Sequence, residues 1–339
     1  MITSPSATIP AAMRSASSAA GSAMRSASAS VPPGSGAVVM GTGIVSVALH
    51  LDNRAVASAV LLLLAAIVWV LLAALFCWRL VRDRPRARAE ASSPAGLAGV
   101  AATAVLATRA LYAGSLPLAA ALLVLACGLW AAVAVPTLRA ARSRGGGGGE
   151  AFMVTVAPQS LATLAAMASQ HEHSLWLADV AIAFAAVGLL LYVVALAGFD
   201  LHALRSGPGA QWVAGGSLAI SALAAAEVAL AVGKLRSVSD ISGQVSDAAF
   251  IVWIVAIAWL VVLALSELRW PRLRYSASRW STVFPLGMYA VCSFTVATAY
   301  RTPGLTDFAH VWVWFAVAGW IATLAGMLRS AVRRPRGQA

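Results

Sequence analysis

The sequence predicts an all-α integral membrane protein: ten transmembrane helices, arranged as five helical hairpins around a central pore, odd spans inner and even spans outer. Three observations predict it. The 339 residues are 60% hydrophobic and 11% charged, with a mean hydropathy of +0.83, whereas about a quarter of a soluble domain is charged. A series of apolar stretches approaches the roughly 20 residues that cross about 30 Å of hydrocarbon. Arginines alternate from loop to loop, and polar residues alternate from span to span.

Residues 1–36 are Ser, Ala, Gly and Pro with few large apolar groups, and carry a near-repeat, Ala12 to Ser17 and Ala23 to Ser28. Such a segment cannot offset its ordering entropy and is expected to be a disordered cytoplasmic tail. It lacks the apolar run of a cleaved signal peptide. Residues 37–330 form the transmembrane domain, with spans expected at 37–51, 55–80, 97–114, 116–138, 151–169, 175–199, 211–233, 247–268, 280–300 and 308–330. Residues 331–339 are a basic cytoplasmic tail.

The arginine distribution sets the topology. With the N-terminus inside, the inner regions hold Arg14, Arg25, Arg79 to Arg88, Arg139 to Arg144, Arg205, Arg269 to Arg279 and Arg329 to Arg336. That is nineteen of the 24 basic residues. Arg54, Lys234, Arg236 and Arg301 fall outside, and Arg109 lies within a span. A missed span would scramble this pattern, so both termini are expected in the cytoplasm of a cell-membrane protein. The net charge of +12 is then a topology signal and not a nucleic-acid footprint.

Polarity alternates differently. The even spans are lipid-like, as in Leu61 to Leu64 and Val187 to Val194. The odd spans hold Gly41-Thr42-Gly43, then Thr108 and Arg109, Pro158-Gln159-Ser160, Gly215-Gly216-Ser217 and Glu227. The ninth, Trp280 to Tyr300, carries Phe284-Pro285 and scattered Ser and Thr. Polar groups in hydrocarbon are expensive and turn toward protein or a water-filled cavity. Proline breaks the backbone ladder, which a membrane tolerates only where protein or water re-satisfies the freed groups. Five odd helices inside five even ones is the economical solution, and five helices about an axis leave a lumen.

The alternation, with Val39-Met40-Gly41-Thr42-Gly43-Ile44-Val45-Ser46 in the first span and Trp280-Ser281-Thr282-Val283-Phe284-Pro285-Leu286-Gly287 in the ninth, resembles the tellurite-resistance/dicarboxylate transporter family. Plant slow-type anion channels and yeast malate and sulfite carriers belong to it. The resemblance implies a ten-helix bundle of five hairpins, commonly a homotrimer, whose pore is plugged by a phenylalanine on the ninth helix. By its place in the motif that residue is Phe284. Counted from Ser276 it lies eight residues in, about 12 Å at 1.5 Å per residue, near mid-membrane. A packing phenylalanine is the other reading. Arg109, Glu227 and a third span without a kinking proline depart from the family pattern.

The remaining candidates each carry two readings. Arg109 attracts anions at the outer mouth, with Glu227 as its partner or as a coupling proton site; otherwise Arg109 snorkels and Glu227 hydrogen-bonds locally. Gly41, Gly43, Gly215 and Gly216 read as close helix packing or as room for the lumen. Pro158, Gln159 and Ser160 offer a kink and neutral donors, or only a packing kink. Thr42, Thr108 and Ser217 read as pore-lining, with Pro285 as the kink beside the gate. Trp176, Trp270, Trp280 and Trp312 read as interfacial anchors. Cys77, Cys127 and Cys292 have neither disulfide nor metal spacing, and no metal or cofactor is expected.

Together these imply a small-anion transporter in a lipid bilayer: monocarboxylate, dicarboxylate, sulfite, nitrate, chloride or tellurite. A proton-coupled carrier using Glu227 is the alternative. An integral-membrane enzyme would need clustered acid, base or nucleophile at membrane depth, and the histidines at 50, 171, 173, 202 and 310 sit at span ends or in loops.

Overall fold

The computed structural model describes residues 31, 34–144, 147–236, 239–272 and 274–333; both tails otherwise lie outside the described residues. Within these the chain is helical: α1 Gly36–Leu51, α2 Ala55–Arg82, α3 Arg84–Ala91, α4 Pro94–Tyr112, α5 Leu116–Arg144, α6 Met153–Glu172, α7 Leu175–Ala197, α8 Ala203–Ser206, α9 Trp212–Arg236, α10 Ser239–Arg269, α11 Trp280–Tyr300 and α12 Pro303–Val332. Eight helices are long and apolar enough to cross a membrane, or nine if the pair α3–α4, bent by 72°, is one span. The protein is a multi-span membrane protein. The helix α1, at 16 residues, is the shortest of the apolar ones.

Two features were not expected from the residue pattern. The helix α3 continues the arginine loop after α2, capped by the Asp83 side chain, which accepts from the Arg86 amide at 3.3 Å. The helix α10 starts at Ser239, eight residues before the apolar run. The tight connections at the far end reverse direction through left-handed residues: Asn53, Gly114, His173 and Arg301. A left-handed residue ends a helix and lets the last carbonyls find donors. The Asp52, Gly114, Ser174 and Thr302 amides do this for α1, α4, α6 and α11.

Each inner helix packs against the outer helix that follows it: α1 on α2, α4 on α5, α6 on α7, α9 on α10 and α11 on α12. The inner helices also touch one another in a closed sequence, α1 to α4 to α6 to α9 to α11 and back to α1. Burial separates the two sets. In the most apolar stretches of the helices ending at Glu172, Leu235 and Tyr300, 94%, 72% and 72% of residues are buried, against 11% to 22% for α2, α5, α7, α10 and α12. The exposed faces of the outer helices are Leu, Val and Ile, as on Leu63, Val70, Leu190 and Ile251, which is the surface lipid accepts.

Several polar residues on the inner helices act as glue between helices. The Ser46 and Ser58 hydroxyls donate to each other's backbone carbonyls, both at 2.7 Å, joining α1 to α2. The indoles of Trp69, Trp253 and Trp320, on outer helices, donate to Thr103, Ser293 and Thr42 at 3.0, 2.8 and 3.0 Å. Elsewhere the hydroxyl returns to its own helix, as from Thr163 to the Gln159 carbonyl. Of the expected tryptophan anchors, Trp176 is 66% exposed but Trp280 only 2%. Trp280 opens α11 inside the ring, so its position at a helix end does not bring it to the interface.

Candidate functional site

The axis of the inner ring holds three cavities, and each is lined by all five inner helices. At the arginine-rich end the cavity measures about 810 Å³ and is walled by the first turns of the inner helices, with Ala37 of α1, Pro94 of α4, Met153 of α6, Val213 of α9 and Ser281 of α11, and by Met327 and Ser330 of the outer helix α12. At the middle is a void of about 20 Å³, lined by Ile44 and Val47, Val105 and Thr108, Ser160 and Thr163, Ile220 and Leu223, and Met288 and Val291. At the far end a cavity of about 370 Å³ is walled by the last turns, with Leu51, Tyr112, Gln170, Glu227 and Thr298. The middle level holds roughly one water by volume.

Phe284 is 1% exposed and lines the 810 Å³ cavity. Met288, one turn further along α11, lines the central void, so Phe284 sits at the boundary between the two. It lies four residues into α11, about 6 Å along the helix axis, beyond the 3-10 turn Ala277–Arg279 that leads into the helix.

Pro285 lies inside α11 and abuts Gly216 of α9. A Cβ on Gly216 would stand 2.6 Å from the Pro285 ring, and one on Gly215 would stand 2.3 Å from the Tyr289 hydroxyl. On α1, Cβ atoms at Gly41 and Gly43 would meet Val283 of α11 at 3.2 Å and Val105 of α4 at 2.7 Å. These glycines hold the ring closed around its axis by letting backbones approach.

The other candidates divide. Thr108 and Ser160 line the central void. Pro158 is buried inside α6. Thr42 accepts its hydrogen bond from outer helix α12, and Ser217 donates to the Ala214 carbonyl at 2.8 Å. Gln159 donates to the Ala185 carbonyl of α7 at 3.1 Å, which is the packing reading of the two it carried. The lumen's middle is aliphatic. Its residues recur at three- or four-residue spacing on each inner helix, a signal that composition hides because the same residues fill any core.

Arg109 and Glu227 do not pair. Both are buried, at 7% and 6% exposure. The Arg109 Nε donates to the Ser58 hydroxyl at 3.2 Å, while Nη1 has no acceptor among the described residues. Glu227 accepts from Gln170 Nε2 at 2.9 Å and lines the far cavity. A double-mutant cycle on Arg109→Gln and Glu227→Gln is therefore expected to give a coupling of under about 0.5 kcal/mol in thermal stability, the additivity of independent sites. A larger coupling would show a direct pair. Asp52 does have a partner: its Oδ1 lies 2.5 Å from His310 Nδ1 of α12, and its Oδ2 accepts from Arg54 at 3.2 Å. This ties the α1–α2 turn to the last helix.

Comparison with known proteins follows the same boundaries. A family model described as voltage-dependent anion channel, SLAC1, matches residues 30–328, which covers the described helices nearly end to end. Two curated relatives, uncharacterized membrane proteins of Mycobacterium tuberculosis strains CDC 1551 / Oshkosh and ATCC 25618 / H37Rv, are each 34% identical over 124 residues. The match covers 34% of this chain and 61% of each relative.

Proposed function

We propose, because the chain belongs to the voltage-dependent anion channel (SLAC1) family, that it carries small anions along the axis of the inner ring, with Phe284 as the constriction. In this reading α1 also spans the bilayer, giving ten spans in five hairpins with both termini cytoplasmic, assembled as a homotrimer with a pore in each subunit. The observation that carries it is the series of axial cavities, about 810, 20 and 370 Å³, each lined by residues of all five inner helices.

The electrostatics favour anions. Five inner helices begin at the 810 Å³ cavity, and a helix N-terminus carries roughly half a positive charge. Half-helix ends aimed at a membrane cavity attract anionic groups. Glu150 is the one carboxylate in that cavity's wall among the described residues and opposes the effect. Toward the far end, Arg109 keeps its charge without a carboxylate partner among the described residues, one turn before the cavity residue Tyr112. Between these ends the void is aliphatic apart from Thr108, Ser160 and Thr163. Ser160 and Thr163 donate to the Val156 and Gln159 carbonyls at 2.8 and 3.0 Å, leaving no free donor from them for an ion. A narrow apolar level of this kind gates by excluding water.

The test is flux into liposomes with a panel of chloride, nitrate, sulfite and succinate, measured for the wild type and Phe284→Ala. Anion flux in the folded variant above that of protein-free vesicles is expected. None for any anion would overturn the reading.

A proton-coupled carrier is the second reading, and the buried Glu227 carboxylate at the far cavity favours it. Glu227→Gln keeps an oxygen that accepts from Gln170. In a carrier this substitution abolishes anion accumulation driven by a pH gradient; in a channel it leaves anion flux and its indifference to that gradient intact.

A further inference from the structure

A fourth cavity, of about 440 Å³, lies off the axis at the arginine-rich end, between the α10–α11 connection, α11 and α12. Its polar wall contains Arg272, Arg274, Arg279 and Glu267, and its apolar wall contains Leu286 of α11 and Gly319, Ala322 and Gly326 of α12. Glu267 is shared by two of the arginines, at 2.7 Å from Arg272 and 2.8 Å from Arg279. Those two also donate to the backbone carbonyls of Leu204 and Arg272 respectively. Arg274 is exposed and has no ion pair among the described residues. Three guanidiniums against one carboxylate leave an excess of positive charge at the cavity.

Two further donors point to a missing acceptor. Arg272 Nε and Trp212 Nε1 belong to residues that line this cavity; both atoms are buried and have no hydrogen-bond partner among the described residues. A buried donor left unpaired is costly. Gly319, Ala322 and Gly326 recur at helical spacing, so they share one face of α12. Leu286 packs over Gly319 and the Tyr275 ring over Gly326, so the wall beside the arginines is apolar, with Ala322 its exposed part.

We propose that this cavity is a binding site for an anionic phospholipid. The phosphate lies among Arg272, Arg274 and Arg279, since a guanidinium fork matches phosphate oxygens, and the acyl chains run along the apolar wall formed by Leu286 and Ala322. A free phosphate would satisfy the arginines and leave that wall uncovered; a lipid covers both. Basic pockets between transmembrane helices at the membrane surface hold lipid headgroups by this combination. Leu286 sits two residues after Phe284, so the bound lipid lies beside the gate helix. That consequence rests on the proposed function, whereas the site itself does not.

The experiment is thermal melting of the full chain in a neutral detergent, with phosphatidylglycerol, phosphatidylcholine or inorganic phosphate added. A ligand that binds the folded state raises the melting temperature. Phosphatidylglycerol is expected to raise it by several degrees, and the other two to leave it unchanged. Arg274→Gln should lose most of that shift, and Arg272→Gln likewise whatever its starting stability. Arg333→Gln, which removes a charge from the same end outside the cavity, should keep it. No shift in the wild type, an equal loss in Arg333→Gln, a full shift in Arg274→Gln, or a shift with inorganic phosphate alone would each overturn the lipid site. No outcome depends on transport, so failure here is distinct from failure of the anion pathway.

Discussion

Phe284→Ala is expected to raise anion flux through the reconstituted protein by about tenfold or more, since removing about 1.4 kcal/mol of barrier gives a factor of ten. The ring stands between an 810 Å³ cavity and a void of about 20 Å³, so its loss joins the two. What remains above it is still aliphatic, which limits the gain and keeps it short of an open aqueous channel. The ring is also buried at 1% exposure, and Phe→Ala in a soluble core costs about 3–5 kcal/mol. Phe284→Leu is the companion variant: it keeps apolar packing while shortening the plug, and should give an intermediate flux with near-normal folding. Unchanged flux in both folded variants would remove Phe284 from the gate.

Gly216→Ala is expected to lower stability by about 1–3 kcal/mol, the usual effect of overpacking, and to change flux at the same time. The added methyl would lie 2.6, 2.9 and 3.1 Å from three atoms of Pro285. A proline ring fused to the backbone cannot rotate away, so α11 must shift beside Phe284. Gly99→Ala, on α4, is the control: nothing lies within 4 Å of its added Cβ, and alanine suits a helix better than glycine. It should melt at or above the wild-type temperature. A melting temperature for Gly216→Ala equal to that of Gly99→Ala would show that α9 and α11 are not in the close contact described.

The fold was legible because the bilayer imposes it. Helix lengths followed from apolar runs, and the boundaries 55, 116, 175 and 280 coincide with the starts of α2, α5, α7 and α11. The segregation of inner from outer helices was legible in the same way, since Thr103, Ser293 and Thr42 could not face lipid. Thr42 was expected to line the pore. The sequence shows which side of a helix is polar but not what stands opposite, and here it is an outer-helix tryptophan. The lumen was less legible for the converse reason: Ile220, Leu223 and Val291 are indistinguishable from core residues until five helices bring them to one level. Gln159 and Arg109 show the limit most plainly, because each takes its partner from the neighbouring outer helix, Ala185 of α7 or Ser58 of α2.

The most direct test of an axial anion pathway is current through Phe284→Ala in a planar bilayer with a chloride gradient, compared with the double variant Phe284→Ala/Leu223→Trp. Leu223 lines the central void, and an indole there fills it. The pathway predicts a current that reverses at the chloride equilibrium potential and disappears in the double variant. A current that reverses at the cation potential, or that persists in folded double variant, would contradict it.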